Sequence, residues 1–213
     1  MKYHNLHVKA KELIKEGQIG DPVSFSIGFS CWYPEIEGAW RQHRELSGGG
    51  VVMDLGVHCI ETVEDILGEE IVDVRAMLEN KSFGYEVEDS GVFIVRTSSG
   101  VLGTVRVGFN VPDAASESSI EIYGTAGYIK ANGTMSQVEA GRLCHLYSPQ
   151  GDYDATQGGV TFEPKTYLPE GEDIYLRQIR DFTKRVSSAD FEYEYAERAL
   201  HVQELIDKIY NQD

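Results

Sequence analysis

Asp54 and His58 are the residues of this sequence whose types and spacing are best suited to chemistry. Side chains four residues apart on a helix lie on one face, so a carboxylate and an imidazole placed there can act on one bound molecule. Histidine titrates near neutral pH and can take a proton from a hydroxyl group. A carboxylate one turn away can raise the basicity of the imidazole and can itself accept a substrate hydroxyl. The pair therefore predicts an acid–base site.

The pair follows the segment Ser47-Gly48-Gly49-Gly50. Glycines before a helix allow the backbone to approach a ligand closely, which favours a binding role for this segment. The 213 residues contain no G-x-G-x-x-G and no G-x-x-x-x-G-K-[ST] motif. Because these motifs cradle the phosphates of nucleotides, no recognisable nucleotide-binding loop accompanies the pair.

Two other interpretations of the pair remain open. At 100° per residue, Asp54, His58, Glu61 and Asp65 point within about 40° of their mean direction. These four residues, the acidic stripe, can equally form the solvated face of an amphipathic helix whose opposite arc is buried. The second alternative is a metal site, because Asp54, His58 and His43 could make a facial carboxylate–imidazole set. The absence of an H-E-x-x-H motif disfavours it, and no metal is predicted.

Hydrophobic spacing predicts the elements that position the pair. Residues 3–16 and 50–67 have helical spacing, each ends at a glycine, and residues 22–30 alternate as a half-buried strand. Between the strand and the second helix lies an irregular segment, 31–50, that contains both tryptophans. A loop of that length in a compact domain is usually either functional or disordered, and the two tryptophans favour a functional role.

The rest of the chain is predicted to form strands and then helices. The predicted strands are 71–79, 87–97, 101–109, 119–123, 128–131, about 142–147 and about 160–167, and the closing helices are about 172–187 and 194–210. The hairpin joined by Ser98-Ser99-Gly100 is apolar on both faces, so helices must cover one face and a second copy of the chain could cover the other. The order predicts a single α+β domain over 1–213, with an open, mostly antiparallel sheet and helices packed on one face.

Composition restricts the function classes. Nineteen basic and 35 acidic residues give a net charge of −16, which argues against nucleic acid and anionic membrane surfaces as partners. Three cysteines without a C-x-x-C motif do not form a disulfide framework, so a cytoplasmic location is expected. The sequence contains no apolar run of about 18 residues, so no transmembrane helix is predicted. Cys59, on the apolar side of the helix, is predicted to be a buried small hydrophobe.

Several motifs occur together in an order that resembles one known family. Trp40-Arg41 followed by the segment from Gly48 to His58 resembles the family's "W-R … G-G-G-x-l-x-D-x-G-x-H" pattern. Four weaker landmarks occur in the expected order: Gly17-Gln18-Ile19-Gly20, Val87-Glu88-Asp89, Gly124-Thr125-Ala126-Gly127 and Gln178-Ile179-Arg180-Asp181-Phe182. The family that these motifs resemble is the Gfo/Idh/MocA oxidoreductases. The resemblance covers essentially the whole chain, but only the C-terminal domain of the family.

The resemblance implies roles for particular residues. His58 would be the base that removes a hydroxyl proton while hydride passes to NAD(P), and Asp54 would orient the substrate and support His58. Arg41 and its neighbours Trp40 and His43 would line the pocket for a sugar or polyol. The family's C-terminal domain often assembles subunits through the free sheet face, which implies a homo-oligomer.

The sequence departs from the family in one respect. Family members begin with a dinucleotide-binding Rossmann domain that ends in an E-K-P motif, and this chain contains neither. Hydride transfer requires the cofactor to be held in line with the substrate carbon. NAD or NADP would therefore serve a full-length enzyme and is not expected to bind this chain tightly. The leading hypothesis is an oxidoreductase's substrate-binding domain that does not catalyse oxidation alone.

Two alternative functions are kept beside it. One is a stand-alone carbohydrate-binding or assembly module without catalysis, and the other is a metal-dependent hydrolase or isomerase that acts on a sugar. These motifs do not specify which sugar binds. They do not choose between NAD and NADP either, because the residues that decide this lie in the nucleotide-binding domain.

Overall fold

One eight-stranded sheet organises the chain, with strand order β2-β3-β4-β1-β5-β6-β7-β8. The computed structural model describes residues 1–116, 118–149, 151–153, 155–156, 162–188 and 194–212. Its strands are β1 (Pro22–Ser30), β2 (Ile71–Glu79), β3 (Ser90–Thr97), β4 (Leu102–Gly108), β5 (Ser119–Gly124), β6 (Gly127–Asn132), β7 (Arg142–Tyr147) and β8 (Lys165–Tyr167). Its α-helices are α1 (Asn5–Lys15), α2 (Arg44–Ser47), α3 (Val57–Leu67), α4 (Ile174–Val186) and α5 (Glu194–Tyr210).

The α+β prediction of an open, mostly antiparallel sheet is confirmed. The central strand β1 pairs parallel with β4, and the other six neighbouring pairs are antiparallel. The predicted helices and strands outside 31–67 are present within three residues at each end, with one exception. The last strand, predicted at about 160–167, begins only at Lys165: residues 162–164 are not strand, and residues 160 and 161 lie outside the described residues. None of the helices formed by the described residues is long and apolar enough to cross a membrane.

The helices α1, α3 and α5 cover one face of the sheet. In β3 the side chains on that face, Phe93 and Val95, are at most 4% exposed, whereas Val92 and Ile94 on the other face are 49% and 60% exposed. The hairpin is therefore apolar on both faces, as predicted, and the described part of the chain leaves one of these faces uncovered. We call this second face the open sheet face.

The alternation predicted for β1 fails at one position. Phe25 and Ile27 are buried, but Val23 is 48% exposed. The pairing of β1 with β5 shifts register between Pro22 and Ser24, which is the mark of a β-bulge. A bulge adds one unpaired residue and turns its side chain away from the regular alternation, so Val23 leaves the core.

The central helix is not one regular α-helix over 50–67. Its first turn, Val52–Gly56, is a π-helix, and the α-helical part α3 begins at Val57. A π turn places one more residue in the turn than an α-helix does, and such turns occur frequently at functional sites. The segment 31–50, predicted to be irregular, contains a 3₁₀ turn at Trp40–Gln42 and the four-residue helix α2.

Candidate functional site

A buried carboxylate fixes the start of the helix that carries Asp54. Oε1 of Glu88 accepts hydrogen bonds from the backbone N–H of Gly50 at 2.9 Å and of Val52 at 3.1 Å, and from the hydroxyl of Tyr210 at 2.6 Å. Glu88 is only 5% exposed. A carboxylate at a helix N-terminus satisfies free N–H groups and the positive end of the helix dipole, so this end of the helix is held rigidly.

This packing requires glycine at the two positions before the helix. A side chain at Gly49 would fall on the hydroxyl of Tyr210, and one at Gly50 would fall on the backbone carbonyl of Glu88. The expectation that these two glycines let the backbone approach a ligand is therefore wrong, because the chain itself fills the space. A nucleotide phosphate does not fit here either, since the Glu88 carboxylate already accepts from the N–H groups that would bind it.

Asp54 lies in the π turn and faces outward. Its side chain is 41% exposed, and its Oδ1 lies 3.8 Å from Nε of Arg41. The guanidinium of Arg41 in turn lies over the ring of Trp40, with 4.7 Å between Cζ and the ring centroid. The structure thus brings together three of the predicted site residues: a carboxylate, a guanidinium and an aromatic ring that is 51% exposed.

His58 lies one turn later on the same helix, and it is exposed to solvent. Desolvation by the surrounding chain nevertheless lowers the pKa of His58 below its ordinary value, and the nearby N-terminal amine acts in the same direction. Glu61 and Asp54 oppose this shift but do not cancel it. The expectation that Asp54 makes the imidazole more basic is thus correct in direction, but burial outweighs it. His58 is neutral near pH 7 and can accept a proton.

His43 is placed differently from the other predicted site residues. Its Nδ1 lies 3.2 Å from Oε1 of Glu86, whose other oxygen accepts from the backbone N–H of Arg44 at 3.0 Å. These contacts hold His43 against the loop before β3. Among the described residues, no three histidine, cysteine, aspartate or glutamate side chains are grouped so that they could hold a metal ion, so the set of Asp54, His58 and His43 is not assembled.

Two residues near Asp54 were missed by the sequence analysis. Burial, together with the nearby carboxylates of Asp113 and Asp54, raises the pKa of the Cys31 thiol to about 11. Oδ1 of Asp113 accepts from the backbone N–H of Trp32 at 2.9 Å. Cys31 follows β1 and Asp113 follows β4, and parallel strands end at the same edge of a sheet. The parallel pairing of β1 with β4 was the missing signal.

The far end of the acidic stripe is not solvated. Asp65 is 5% exposed, and its Oδ1 lies 2.9 Å from Nζ of Lys11, 3.5 Å from the guanidinium of Arg198 and 4.0 Å from Nζ of Lys2. The interpretation of the stripe as a solvated helix face is therefore wrong at this end. Cys59 is fully buried, as predicted, and burial raises the pKa of its thiol.

A family model described as the GFO/IDH/MocA C-terminal domain matches residues 7–130, more than half of the chain. The chain belongs to the Gfo/Idh/MocA family. The match includes Trp40, Arg41, Asp54 and His58, so the site described above lies inside the family's domain.

Similar proteins support an oxidoreductase C-terminal domain. A 1,5-anhydro-D-fructose reductase from Ensifer adhaerens is 30% identical over 64% of this chain and 41% of its own length. An aldose–aldose oxidoreductase from Caulobacter crescentus has the same fold with a TM-score of 0.81 and 18% identity, over 99% of this chain and 59% of that protein. A 3-ketoreductase from Actinomadura kijaniata, solved with NADP and TDP-benzene, gives a TM-score of 0.74 at 22% identity, over 98% and 59%. The chain thus spans about half the length of these relatives.

Proposed function

We propose that this Gfo/Idh/MocA domain binds the sugar or polyol substrate of an NAD(P)-dependent oxidoreductase and does not transfer hydride by itself. The observation that carries the proposal is the cluster of Asp54, Arg41 and Trp40 beside the neutral His58, inside the segment matched by the family model. Carboxylates and guanidinium groups bind hydroxyls, and an exposed aromatic ring packs against the apolar face of a sugar.

Each residue has a separate role in this proposal. Neutral His58 accepts the proton of the reacting hydroxyl, which requires its pKa to lie below the working pH. Asp54 accepts a hydrogen bond from a second hydroxyl, and Arg41 donates to a ring or hydroxyl oxygen. The contact between Arg41 and Trp40 limits the movement of the guanidinium. His43 stays on Glu86 and adds substrate contacts only if it leaves that partner.

Two observations support the expectation that this chain does not hold the dinucleotide tightly. The glycine-rich turn before the helix is filled by Tyr210 and Glu88, and its N–H groups are already bonded. The sequence offers no other phosphate-binding loop. We therefore expect the cofactor to be held by a separate domain, and this chain to supply the hydroxyl-binding and proton-accepting groups.

Sugar-dependent stabilisation tests the proposal. A ligand that binds only the folded protein at about 100 times its Kd raises the free energy of unfolding by about 2.7 kcal/mol. The unfolding temperature is measured with a panel of sugars and polyols, without nicotinamide nucleotide, for the natural chain and for Asp54→Ala and His58→Ala. We expect both variants to lose most of the response. Glu70→Ala, which removes an exposed carboxylate outside the site, is the matched control and should keep it.

Two results would contradict the proposal. An unchanged sugar response in both variants would show that the pocket is elsewhere, and reduction of NAD or NADP by the purified chain with a polyol would show that it is a complete catalyst. A response that requires Asp54 but not His58 would favour the alternative, a carbohydrate-binding module without catalysis.

We also propose that the chain forms a homo-oligomer through the open sheet face. Met77, Val92, Ile94 and Leu102 are between 49% and 81% exposed there, and exposed apolar patches mark interfaces. Sedimentation of the natural chain and of Ile94→Lys tests this. Monomers only in the variant would support the interface, whereas a monomeric natural chain at high concentration would contradict it. Leu200→Lys, at an equally exposed position on α5, is the control.

A further inference from the structure

Trp32 lies just past the end of β1 and has no role in the function proposed above. It is 45% exposed. Its ring packs edge-on against the ring of Phe83, with 5.3 Å between the ring centroids and an interplanar angle of 76°. Phe83 in turn stacks on the buried Tyr85, with 5.4 Å between the centroids. Trp32 is thus the most exposed ring of a row of three whose far member belongs to the core.

The backbone that carries Trp32 is fixed on both sides. Its N–H donates to Oδ1 of Asp113 at 2.9 Å, and Trp32 also forms an isolated β-bridge with Asn110. The N–H of the next residue, Tyr33, donates to the backbone oxygen of Phe109 at 2.8 Å. An exposed ring on a rigid backbone loses little conformational entropy when a ligand packs against it, which favours a binding role.

The loop that carries Phe83 is fixed by a buried carboxylate. Asp89 is fully buried and accepts hydrogen bonds from three backbone N–H groups. The donors are Lys81 at 3.0 Å, Ser82 at 2.6 Å and Phe83 at 3.1 Å. Hydrogen bonds to an ionised carboxylate are among the strongest in proteins. The ring on which Trp32 packs is therefore held as firmly as Trp32 itself.

Trp32 and Trp40 belong to one closed loop. The buried side-chain amide of Gln42 donates to the backbone oxygen of Pro34 at 2.6 Å. Each tryptophan is two residues away from one of these partners, so chain length alone keeps the two Cα atoms within about 25 Å.

The residue before Trp32 also lies near the candidate site. The carboxylates of Asp113 and Asp54 both act on the thiol of Cys31 and raise its pKa. Trp32 and Asp113 therefore flank the site on the side of β1, and a ligand that extends from Asp54 in that direction reaches them.

The charges around Trp32 indicate the kind of ligand. Asp113 is exposed, and its Oδ2 accepts no hydrogen bond from the residues that the structure describes. Glu35 is exposed beside Phe83, because its Oε1 accepts from the N–H of Gly84 at 2.7 Å. A sugar presents an apolar face to an aromatic ring and hydroxyl donors to carboxylates. Two carboxylates repel phosphate groups, so a nucleoside diphosphate fits less well.

We propose that Trp32 is the platform for a second sugar ring, so that the ligand of this domain is a disaccharide or another glycoside. The inference rests on the function proposed above, which places the first ring at Asp54 and His58. The first ring presents the reacting hydroxyl to His58. The second ring packs on Trp32 and donates a hydroxyl hydrogen bond to Asp113.

Binding of sugars with one and two rings tests the proposal. Titration calorimetry gives the Kd of D-glucose, D-galactose and D-xylose, and of cellobiose, maltose, lactose and xylobiose, each of which contains one of them. We expect at least one disaccharide to bind about tenfold more tightly than the monosaccharide that it contains. Trp32→Ala should remove this gain and change the Kd of the monosaccharide by less than about twofold.

Tyr147→Ala is the matched control and should keep the gain. Tyr147 is 51% exposed, and it lies at the opposite end of the sheet from Trp32. It pairs with Gly127, which neighbours Gly124, which in turn pairs with the first residue of β1.

Tryptophan fluorescence gives a second measurement that does not depend on the folding of Trp32→Ala. The sequence contains two tryptophans, so each can be observed alone. In Trp40→Phe, the disaccharide should change the emission of Trp32, and the monosaccharide should leave it unchanged. In Trp32→Phe, both sugars should change the emission of Trp40.

Several results would overturn the platform. They are the absence of a disaccharide gain in the natural chain, a gain that survives Trp32→Ala, and an equal loss of monosaccharide and disaccharide binding in that variant. Tighter binding of thymidine diphosphate than of every disaccharide would overturn it as well. Monosaccharide binding that is lost in Asp54→Ala but shows no disaccharide gain overturns the platform alone, whereas a chain that binds none of these sugars contradicts the proposed function too.

Discussion

In the helix from Val52 to Leu67, acidic side chains are buried near the C-terminal end and exposed near the N-terminal end. Near the C-terminal end, Glu64 and Asp65 are each 5% exposed, and Glu64 accepts from the N–H of Ile71 at 2.7 Å and lies 3.0 Å from His201. Near the N-terminal end, Asp54 faces outward with Arg41 at 3.8 Å, and His58 is exposed beside it.

The difference separates structural polar groups from available ones. A buried carboxylate is tolerated only when hydrogen bonds or opposite charges satisfy it, so its partners belong to the fold. An exposed carboxylate with one distant partner keeps lone pairs free for a ligand. We infer that changes at the C-terminal end lower stability, whereas changes at the N-terminal end lower ligand binding.

The largest expected effect comes from acid, and it contrasts buried histidines with His58. Burial lowers the pKa of His4 to about 4 and that of His7 to about 3, and both are at most 1% exposed. The unfolded chain binds these protons near pH 6.5, so their stabilising contribution is complete above that pH and is lost as the pH falls toward 4 and 3. The loss should be on the order of 5 kcal/mol for the pair.

Urea unfolding at a series of pH values between about 7 and about 4 measures this loss. His7→Gln removes one titrating group and should flatten the slope of unfolding free energy against pH, while His58→Gln should leave most of it. An unchanged slope in His7→Gln would show that the buried histidines do not control acid stability. The expected slope follows from linkage, in which each shifted group takes up a proton on unfolding.

The second effect is at the buried end of the helix. Asp65→Ala leaves Lys2, Lys11 and Arg198 without their shared carboxylate. Breaking a buried pair is costly, but Lys11 is 46% exposed, so we expect a loss of about 2 kcal/mol in unfolding free energy. The free energy is measured by urea unfolding, with Glu61→Ala on the same helix as the control. A loss below about 0.5 kcal/mol would place Asp65 with ordinary surface residues.

The third effect is at the exposed end. Asp54→Ala and His58→Ala should each change the unfolding free energy by less than about 0.5 kcal/mol, because His58 is exposed and Asp54 pairs with a half-exposed arginine. The comparison with Asp65→Ala in the same urea assay checks the contrast between the two ends directly. A loss at Asp54 as large as that at Asp65 would remove the distinction and make Asp54 a structural residue.

The smallest effect is a change with pH in the sugar response. The pKa of His58 is lowered, so the imidazole is neutral above its ordinary value of 6.5 and remains neutral somewhat below it. Stabilisation by a sugar that donates a hydrogen bond to His58 should stay constant from about pH 8 to about pH 6.5 and weaken only at lower pH. A response that already weakens above pH 6.5 would contradict a neutral base. His58→Gln should show no such decline.

Local patterns predicted much of this fold. Period-two alternation located the strands, glycines located helix ends, and the hairpin apolar on both faces predicted a sheet with one open face. Where a prediction failed, the cause is a contact with residues that are distant in the sequence. Asp65 has the spacing of a solvated residue, and its burial depends on Lys11 and Arg198, which are 54 and 133 residues away in sequence.

The same limit applies to the candidate site. The sequence predicted a site that includes Asp54, His58, Trp40 and Arg41. In the structure, Arg41 lies close to both Trp40 and Asp54. The role of Gly49 could not be predicted, because its neighbour Tyr210 comes from the other end of the chain. Nor does any spacing rule reveal that the turn containing Asp54 is a π-helix.

That π turn has a consequence for how this domain tolerates changes in length. A residue inserted in a continuous α-helix rotates everything on one side of it by about 100°, which would move either the buried arc of α3 or the contacts between Gly50 and Glu88 out of place. The π-helical turn Val52–Gly56 accommodates one extra residue within a single helical turn. Deletion of Met53, a half-buried residue of that turn, should therefore convert the π turn to ordinary α-helix and leave both flanks in place. A deletion inside the regular α-helix Val57–Leu67 would instead rotate one flank relative to the other.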